Sequence, residues 1–572
     1  MNRLRPIFLA VAVILAGLLS YGLWTLPKPQ PADAQTFSAA RVVKDIEVIS
    51  REHHSVAHPE ERARVREYLV QRLMDLGADT VWQYRYDSLT GPQNKHVVYT
   101  FDAVDLLADF PPQKDSASAT ELLLVAHYDS RYSQPMPKDT VWSYGAADDG
   151  YGVGVILETL SQLLKQREHW NQGVKVLFTD AEEVGMMGMK AIWENDRHLF
   201  DNVGLMINLE ARGPWGPCLL FETSPGNEKV MDLYASAARY PYTYSLTTVV
   251  YSFMPNFTDF TIVKDDIPGM NFSTITDINH YHTDLDNFSN VSAKSIQHYG
   301  SQVLPIAMEY LTGEEYADKD YFRSDKDYTS FTVPALGLFR FSRTGYLVVN
   351  LVLFIVFILL ALLEFIRGRA RFVKTLKNTG IILLSGLAVL ALGELTAFLS
   401  AKAAGAVFKP FGIVQGVSYD NLIMIVTMSV IAIMSVLIYL SRRQAVIRQV
   451  SGSMRKNAAA NAASRHAYDV LYGALTLMAI LSLVLVLVLG ENLMFFIPLF
   501  LATAAMVLYH LTSLKLWLVA AVPLILLHAL SFLSALAMAL TIGAFGAVAM
   551  LMFFDIMVII PLADLYLSAG RR

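Results

Sequence analysis

Residues 121–165 read ELLLVAHYDSRYSQPMPKDTVWSYGAADDGYGVGVILETLSQLLK. The apolar run 121–126 is too short for a helix and stops at His127, which reads as a buried strand ending on a polar residue. A glycine-rich loop, 145–154, then enters a helical pattern over 151–165. The same alternation continues downstream. Runs at 174–179 (VKVLFT) and 203–209 (VGLMINL) read as strands, with a helical pattern at 186–196 between them, and 96–101 (HVVYTF) reads as a strand upstream. Residues 40–80 read as helical, with apolar positions at helical spacing from Val42 to Leu76. Strands alternating with helices imply an α/β sheet with partly parallel strands. Such sheets place ligands at the carboxyl ends of their strands.

Those ends carry chemistry. His127 closes the first run, Glu182 and Glu183 follow the second, and Glu210 follows the third. The glycine-rich loop adds Asp148 and Asp149, and 280–286 (HYHTDLD) adds His280, His282 and Asp286. A lone His beside a strand is ordinary, and a Glu-Glu pair is usually solvated charge. Five such segments in one frame point to a metal. Imidazole nitrogen and carboxylate oxygen suit a borderline ion such as zinc. Two His and three or four carboxylates suffice for two ions, with one carboxylate bridging them at roughly 3.5–4 Å. A carboxylate left out of the coordination can serve as general base.

The chain has 572 residues, of which 54% are hydrophobic and 17% charged. Soluble proteins carry roughly 25% charged residues. Residues 345–572 hold 16 Lys+Arg and 7 Asp+Glu, net +9, which leaves 30 and 44, net −14, in residues 1–344. Disorder, collagen and coiled coil are excluded, and the single Cys218 excludes an intrachain disulfide. No basic patch with aromatic interleaving supports nucleic-acid binding. The apolar surplus forms runs of the roughly 20 residues that cross a bilayer. They lie at 7–26 and near 345–366, 379–400, 421–440, 469–489, 493–511, 516–535 and 540–562. The expected organisation is therefore an amino-terminal anchor or signal peptide over 1–27, a soluble domain over 28–344, and an all-α polytopic membrane domain of about seven helices over 345–572. With the amino terminus inside, the loops 367–378 and 441–468 are cytoplasmic, and 14 of the 16 basic residues of this half lie inside. Only Lys402 and Lys409 fall outside. The positive-inside rule then puts residues 27–344 on the extracytoplasmic side, facing a periplasm or an endoplasmic-reticulum or vacuolar lumen. Glu394, His528 and Asp555 fall within spans and read as helix-facing groups rather than as a transport path.

The motifs HYDS (127–130), GAADDGYGVG (145–154), EEVGMMG (182–188), NLE (208–210) and YHTDLDN (281–287) closely resemble zinc metallopeptidase family 28, the co-catalytic dizinc exopeptidases. The stretches INLEARG, FETSPGN, TDFTIV and IPGMNFS resemble its membrane-bound branch, the endoplasmic-reticulum metallopeptidases and vacuolar membrane proteases. The resemblance implies an αβα sandwich with a mixed central sheet and two zinc ions per chain. It places His127 and Glu210 on one ion, Glu183 and His282 on the other, and Asp148 on both. Glu182 would be the general base and acid. Tyr281 would help hold the tetrahedral intermediate, Asp129 would orient His127, and Asp286 would orient the site from behind. Many soluble relatives have Asp where this chain has Glu210, and the membrane branch often has Glu. The implied partners are a peptide substrate and the lipid bilayer. The expected reaction is peptide hydrolysis near a chain end, an aminopeptidase before a carboxypeptidase.

Glutaminyl cyclases share the fold and a similar HYDS segment but work with one zinc, so the complete ligand set favours hydrolysis. A non-enzymatic binding protein would be expected to have lost a ligand or the base, and a transporter with an accessory peptidase-like domain is disfavoured by the missing pattern of intramembrane charge. Asp149 and Asp180 read as structural, Asp259 as an orienting group, and His280 as a loop-lining residue. Sequons at Asn256, Asn271, Asn287 and Asn290 would matter only in a eukaryotic lumen. The substrate and the oligomeric state are not legible.

Overall fold

The structure is a computed structural model that describes residues 4–22, 26–94, 97–113, 120–135, 140–252, 257–333, 336–451 and 456–568. Arg3, Arg455, Asn256, Arg571 and Arg572 lie outside the described residues. The chain divides into two compact units. One comprises Leu26–Thr332 with Leu336–Arg343, and the other comprises Met1–Thr25, Val333–Ala335 and Thr344–Arg572.

The first unit is built on strands β1 (Val81–Asn94), β2 (Val97–Phe110), β3 (Glu121–His127), β4 (Gln134–Pro135), β5 (Thr140–Val141), β6 (Gly173–Thr179), β7 (Val203–Ala211), β8 (Trp215–Thr223), β9 (Gly269–Thr276), β10 (Tyr328–Val333) and β11 (Gly337–Ser342). Seven of them form one sheet in the order β1-β2-β6-β3-β7-β9-β8. The four central strands β6, β3, β7 and β9 run parallel, and β1, β2 and β8 add antiparallel edges. The other strands make two small hairpins.

Helix α1 (Arg5–Gly22) belongs to the second unit. The first unit contributes α2 (Ala39–Ile49), α3 (Pro59–Asp75), α4 (Gly150–Leu163), α5 (Met187–Asn195), α6 (Glu228–Ala237), α7 (Ser245–Ser252), α8 (Asp259–Val263) and α9 (Ala293–Thr312). The two-residue period of a strand sorts the core into two layers. Leu122, Leu124 and Ala126 of β3 pack with Val42 and Ile46 of α2, Ile156 and Leu160 of α4, and Ile296 and Val303 of α9. Leu123 and Val125 point to the other face and pack with Met189 and Ile192 of α5 and Phe260 and Val263 of α8. The result is an αβα sandwich with a mixed sheet. From β3 the chain crosses through α4 to β6 on one side, then through α5 to β7 on the other side. The connection reverses at β3, the kind of switch point where such sheets bind ligands at the carboxyl ends of their strands.

Three sequence expectations change. Residues 40–80 hold two helices rather than one, because Pro59 starts α3 at a first-turn position and 50–58 form the turn before it. Strand β1, an edge strand whose VWQYRYDS run alternates large and polar residues, pairs antiparallel with β2 and adds to the sequence expectation. The strand near 96–101 extends to Phe110.

The second unit continues with α10 (Arg343–Ile366), α11 (Phe372–Ala404), α12 (Asp420–Ser451), α13 (Lys456–Leu489), α14 (Leu493–Thr512), α15 (Leu516–Leu540) and α16 (Phe545–Leu567). By length and composition these make six apolar stretches, the last spanning Leu516–Leu567, 52 residues. Fifty-two helical residues would be about 78 Å, far beyond one crossing. That stretch is in fact α15 and α16, reversed by a 3-10 turn at Thr541–Ala544 and packed on each other. The loop expected over 441–468 is mostly helical, since α12 runs on to Ser451 and α13 starts at Lys456. A Cβ on Gly393 of α11 would lie 2.6 Å from Gly546 Cα of α16, so small residues set that close helix approach. Glu394 sits beside the same contact, His528 stacks on Phe532, and Asp555 is buried on α16.

Candidate metal centre

Each site residue is delivered by a turn at the same sheet edge. β3 ends on His127. The β3–α4 connection brings Asp148, held just before Asp149, which caps α4 by accepting the Gly152 N–H at 2.9 Å. β6 is followed by a 3-10 turn, Glu182–Val184, bracketed by Ala181 at φ 57° and Gly185 at φ 109°. Left-handed backbone at a non-glycine is strained and gathers at functional turns. Glu210 comes from the end of β7, and His282, also left-handed at φ 59°, from the loop after β9.

The structure brings five of these side chains together. His127 Nε2 lies 3.2 Å from Asp148 Oδ1 and 3.7 Å from Glu210 Oε2. His282 Nε2 lies 3.3 Å from Asp148 Oδ2 and 3.1 Å from Glu183 Oε2. Two ligand groups therefore form, His127–Asp148–Glu210 and Asp148–Glu183–His282, and each has its donor atoms within 4.8 Å of one another. Asp148 belongs to both. Asp148 Oδ2, Glu183 Oε1 and His282 Nε2 are buried and take part in no hydrogen bond. Buried polar atoms are ordinarily bonded. This donor set, two imidazoles and three carboxylates aimed at shared points, fits zinc.

The electrostatics agree with a site built for cations. Burial pushes the Glu182 and Glu210 carboxyls well above the usual range, and His127 pulls against it. Burial alone would discharge His127, but Asp129 and Asp148 outweigh it and hold its pKa well above that of a free imidazole. Burial also opposes the charge on Asp148, and the two imidazoles overcome it. Buried acids outnumber basic partners here, and bound cations would stabilise their charged forms.

A supporting layer fixes the ligands. His127 Nδ1 lies 3.0 Å from the backbone carbonyl of Asp129 and 3.5 Å from its carboxylate. Asp129 thus holds the imidazole mainly through its main chain. Its carboxylate instead accepts the Glu182 N–H at 2.9 Å and the Glu183 N–H at 3.4 Å, and so sets the turn that carries both glutamates. Asp286 accepts the Ala147 N–H at 2.7 Å and the Ser143 hydroxyl at 2.9 Å, which shapes the Asp148 loop. Burial, then the nearby Asp148 charge, push Asp286 up to about 7. Tyr281 stacks on the His282 ring at 3.6 Å, and the Arg212 guanidinium lies 5.3 Å from the Tyr281 ring centroid.

The remaining polar candidates turn away from the ligand groups. Asp180 pairs with Arg62 at 3.1 Å and accepts the Val104 N–H. Asp259 accepts the Thr179 hydroxyl, and His280 pairs with Asp277 at 3.2 Å. Three participants escaped the sequence reading. Arg131 donates to the Glu183 carbonyl and lies 3.3 Å from its carboxylate. Arg212 lies over Tyr281, and Asn208 donates to Glu210 Oε1 at 3.3 Å. Arg131 directly follows HYDS, Asn208 opens NLE and Arg212 lies within INLEARG, so a place in or beside the motifs was the available signal.

Fold and geometry together give an α/β protein with two candidate metal-binding groups of carboxylates and imidazoles at a topological switch point of its sheet. Residues 105–307 match Peptidase family M28. The chain is 29% identical over 326 residues to a vacuolar membrane protease of Candida dubliniensis, an alignment covering 55% of this chain and 32% of that one. It is 28% identical over 230 residues to endoplasmic reticulum metallopeptidase 1 of Mus musculus, covering 39% and 24%. The match thus takes in a third or less of either relative's length. Among solved structures, a Zn-dependent exopeptidase from Parabacteroides distasonis matches at 20% identity, over 48% of this chain and 98% of that one, with a TM-score of 0.38. Porphyromonas gingivalis glutaminyl cyclase matches at 19% identity, over 49% and 100%, with a TM-score of 0.39.

Proposed function

We propose that the protein is a membrane-embedded dizinc exopeptidase that favours the amino end of its substrate, with the first unit on the extracytoplasmic side. The observation that carries this reading is Asp148, whose two oxygens face two different imidazoles at 3.2 and 3.3 Å. One carboxylate then serves two three-residue groups. Zinc held by His127, Asp148 and Glu210, and by Asp148, Glu183 and His282, would polarise the scissile carbonyl and lower the pKa of the attacking water.

The chain's own residues do the rest. Glu182 belongs to neither ligand group, although it is joined to Glu183 by one peptide bond. It takes the proton of the attacking water and passes it to the leaving amine. Asp129 grips the Glu182 and Glu183 amides and so fixes base and ligand in one register. Asp286 does the same for Asp148. Tyr281, braced between His282 and Arg212, is the side chain that would donate to the oxyanion.

The decisive experiment pairs metal analysis with turnover. The purified chain should contain two zinc ions and release amino-terminal residues from aminoacyl and peptide substrates. Glu182→Gln should lower turnover by roughly 10²–10⁴-fold with both ions retained. Loss of metal in that variant would show that the two glutamates are exchanged in role. One zinc with cyclisation of an amino-terminal glutamine, and no hydrolysis, would overturn the peptidase reading in favour of acyl transfer.

A further inference from the structure

The helices of the second unit leave a crevice of about 380 Å³ between α11, α12, α13 and α16. Its origin is the looseness of α12. Only 17% of the apolar window of α12 is buried inside the protein, against 61% for α13. α12 packs on α13 and α16 but barely on α11, so the α11–α12 flank stays open. Along α11 the crevice runs from Asn378 to Leu392, about 21 Å at 1.5 Å per residue. That exceeds half of the roughly 30 Å hydrocarbon core. Its walls are apolar, formed by residues such as Ile382, Val389, Ile431 and Met434.

One end differs. There Asn378, Arg442 and His466 line the same crevice. Arg443, the next residue, is taken by Asp564 at 2.8 Å, whereas Arg442 pairs with no carboxylate among the described residues. His466 Nε2 is buried and takes part in no hydrogen bond. Arg371, Lys374, Lys377 and Arg448 flank this end on α11 and α12. Hydrocarbon alone would fill the walls without selectivity, because lipid tails are as apolar as the side chains. The polar end adds a guanidinium with free donors, which suits a phosphate oxygen pair.

The geometry points to a binding site for one anionic glycerophospholipid, an acyl chain in the α11–α12 crevice and its phosphate held by Arg442, His466 and Asn378. A zwitterionic headgroup brings its own cation to the phosphate and gains less from Arg442. Basic pockets between membrane helices bind anionic headgroups by the same logic. The site is independent of the peptidase reading, since none of its residues belongs to the metal centre.

The test uses the full chain, purified in detergent and exposed to vesicles of phosphatidylcholine alone or with phosphatidylglycerol. Phospholipid retained after washing is read by native mass spectrometry. The expected result is one phosphatidylglycerol per chain, preferred over phosphatidylcholine by about tenfold. Arg442→Glu should abolish the preference, and Val389→Trp should abolish retention by filling the crevice. Arg442 is exposed on α12, so its substitution leaves folding intact and guards against a misfolded Trp variant. Equal retention of both lipids, or a preference unchanged in Arg442→Glu, would overturn the proposal. So would displacement of the bound species by millimolar inorganic phosphate alone, which would indicate a free-anion site.

Discussion

Glu210 turns its two oxygens to two different neighbours. Oε2 faces His127 at 3.7 Å, and Oε1 accepts from Asn208 Nδ2 at 3.3 Å. The same amide donates to Asn271 Oδ1 at 3.0 Å, and Asn271 in turn donates to Glu222, whose charge Lys264 neutralises at 2.6 Å. Asn208 is therefore the last member of a buried chain that orients a ligand, and such outer partners are typically worth 10–100-fold in metal affinity. Asn208→Asp should keep the shape but set a second carboxylate against Glu210. Zinc titration against a chelator should then show affinity lowered by roughly that factor, and an unchanged affinity would remove Asn208 from the positioning layer. His298 gives a second residue-scale prediction. Its Nδ1 accepts the Cys218 N–H at 2.9 Å, so Nε2 carries the proton and donates to the Tyr240 carbonyl at 3.0 Å. Burial lowers its pKa from 6.5 to about 4. Between those values the unfolded chain holds a proton that the folded chain does not. Stability from this residue is present above pH 6.5 and is lost as pH falls toward 4, by up to roughly 3 kcal/mol. Thermal unfolding of the first unit at pH 5 and pH 7 should show the loss, and His298→Gln should flatten it. The five residues of the two ligand groups were legible because each ends an apolar run or sits in a short polar motif. His298 and Asn271 were not, because a hydrogen bond between distant segments leaves no mark on local periodicity.

At the scale of the element, the turn into α4 ties a helix cap to Asp148 of the candidate metal centre. Asp149 Oδ1 caps the helix at the Gly152 N–H, and a Cβ on Gly152 would lie 2.2 Å from Asp149 Oδ2. Asp149 is buried and cannot swing into water. Gly to Ala inside a helix ordinarily gains up to about 1 kcal/mol. Here the clash displaces the cap, which costs about 1–2 kcal/mol, and shifts the adjoining Asp148. Gly152→Ala should therefore lower the unfolding temperature and reduce bound zinc together. A stabilised variant with full metal would show that the cap can yield. Among the strands that the sequence revealed, the uniformly apolar β3, β6 and β7 were the clearest, each buried along nearly its whole length. β1 stayed hidden because its register against β2 is set by pairing, Val81 opposite Ala108 through Asn94 opposite Val97, and not by its own polarity. The membrane helices read true in their apolar centres but short at their ends. Phe372–Asn378 and Ser441–Ser451 continue as helix after hydropathy fails, because backbone hydrogen bonds do not stop where the apolar stretch does.

For the whole molecule, the charge division between the halves becomes a statement about sidedness. The basic residues of the second unit gather near the α10–α11 turn and in the carboxyl-terminal part of α12, including Arg367, Arg369, Arg371, Arg442, Arg443 and Arg448. Basic clusters beside short turns stay on the cytoplasmic side. On the proposed orientation the first unit, net acidic and folded around its own core, lies on the opposite, extracytoplasmic side. The chain offers a clean way to check this. Cys218 is the only cysteine, it is fully buried on β8, and burial pushes its thiol well above the ordinary range. A thiol in that state does not react with a polar maleimide, so the native background is silent. Tyr240 is 65% exposed on the first unit, and Lys374 is exposed at the start of α11. In intact cells or sealed vesicles of native orientation, Tyr240→Cys should label with a membrane-impermeant maleimide from the extracytoplasmic side. Lys374→Cys should label only after the membrane is opened. The reverse pattern would invert the orientation and place the metal centre in the cytosol. Labelling of both residues from one side would break the odd number of crossings that must separate them, and with it the reading of α10 as a membrane span.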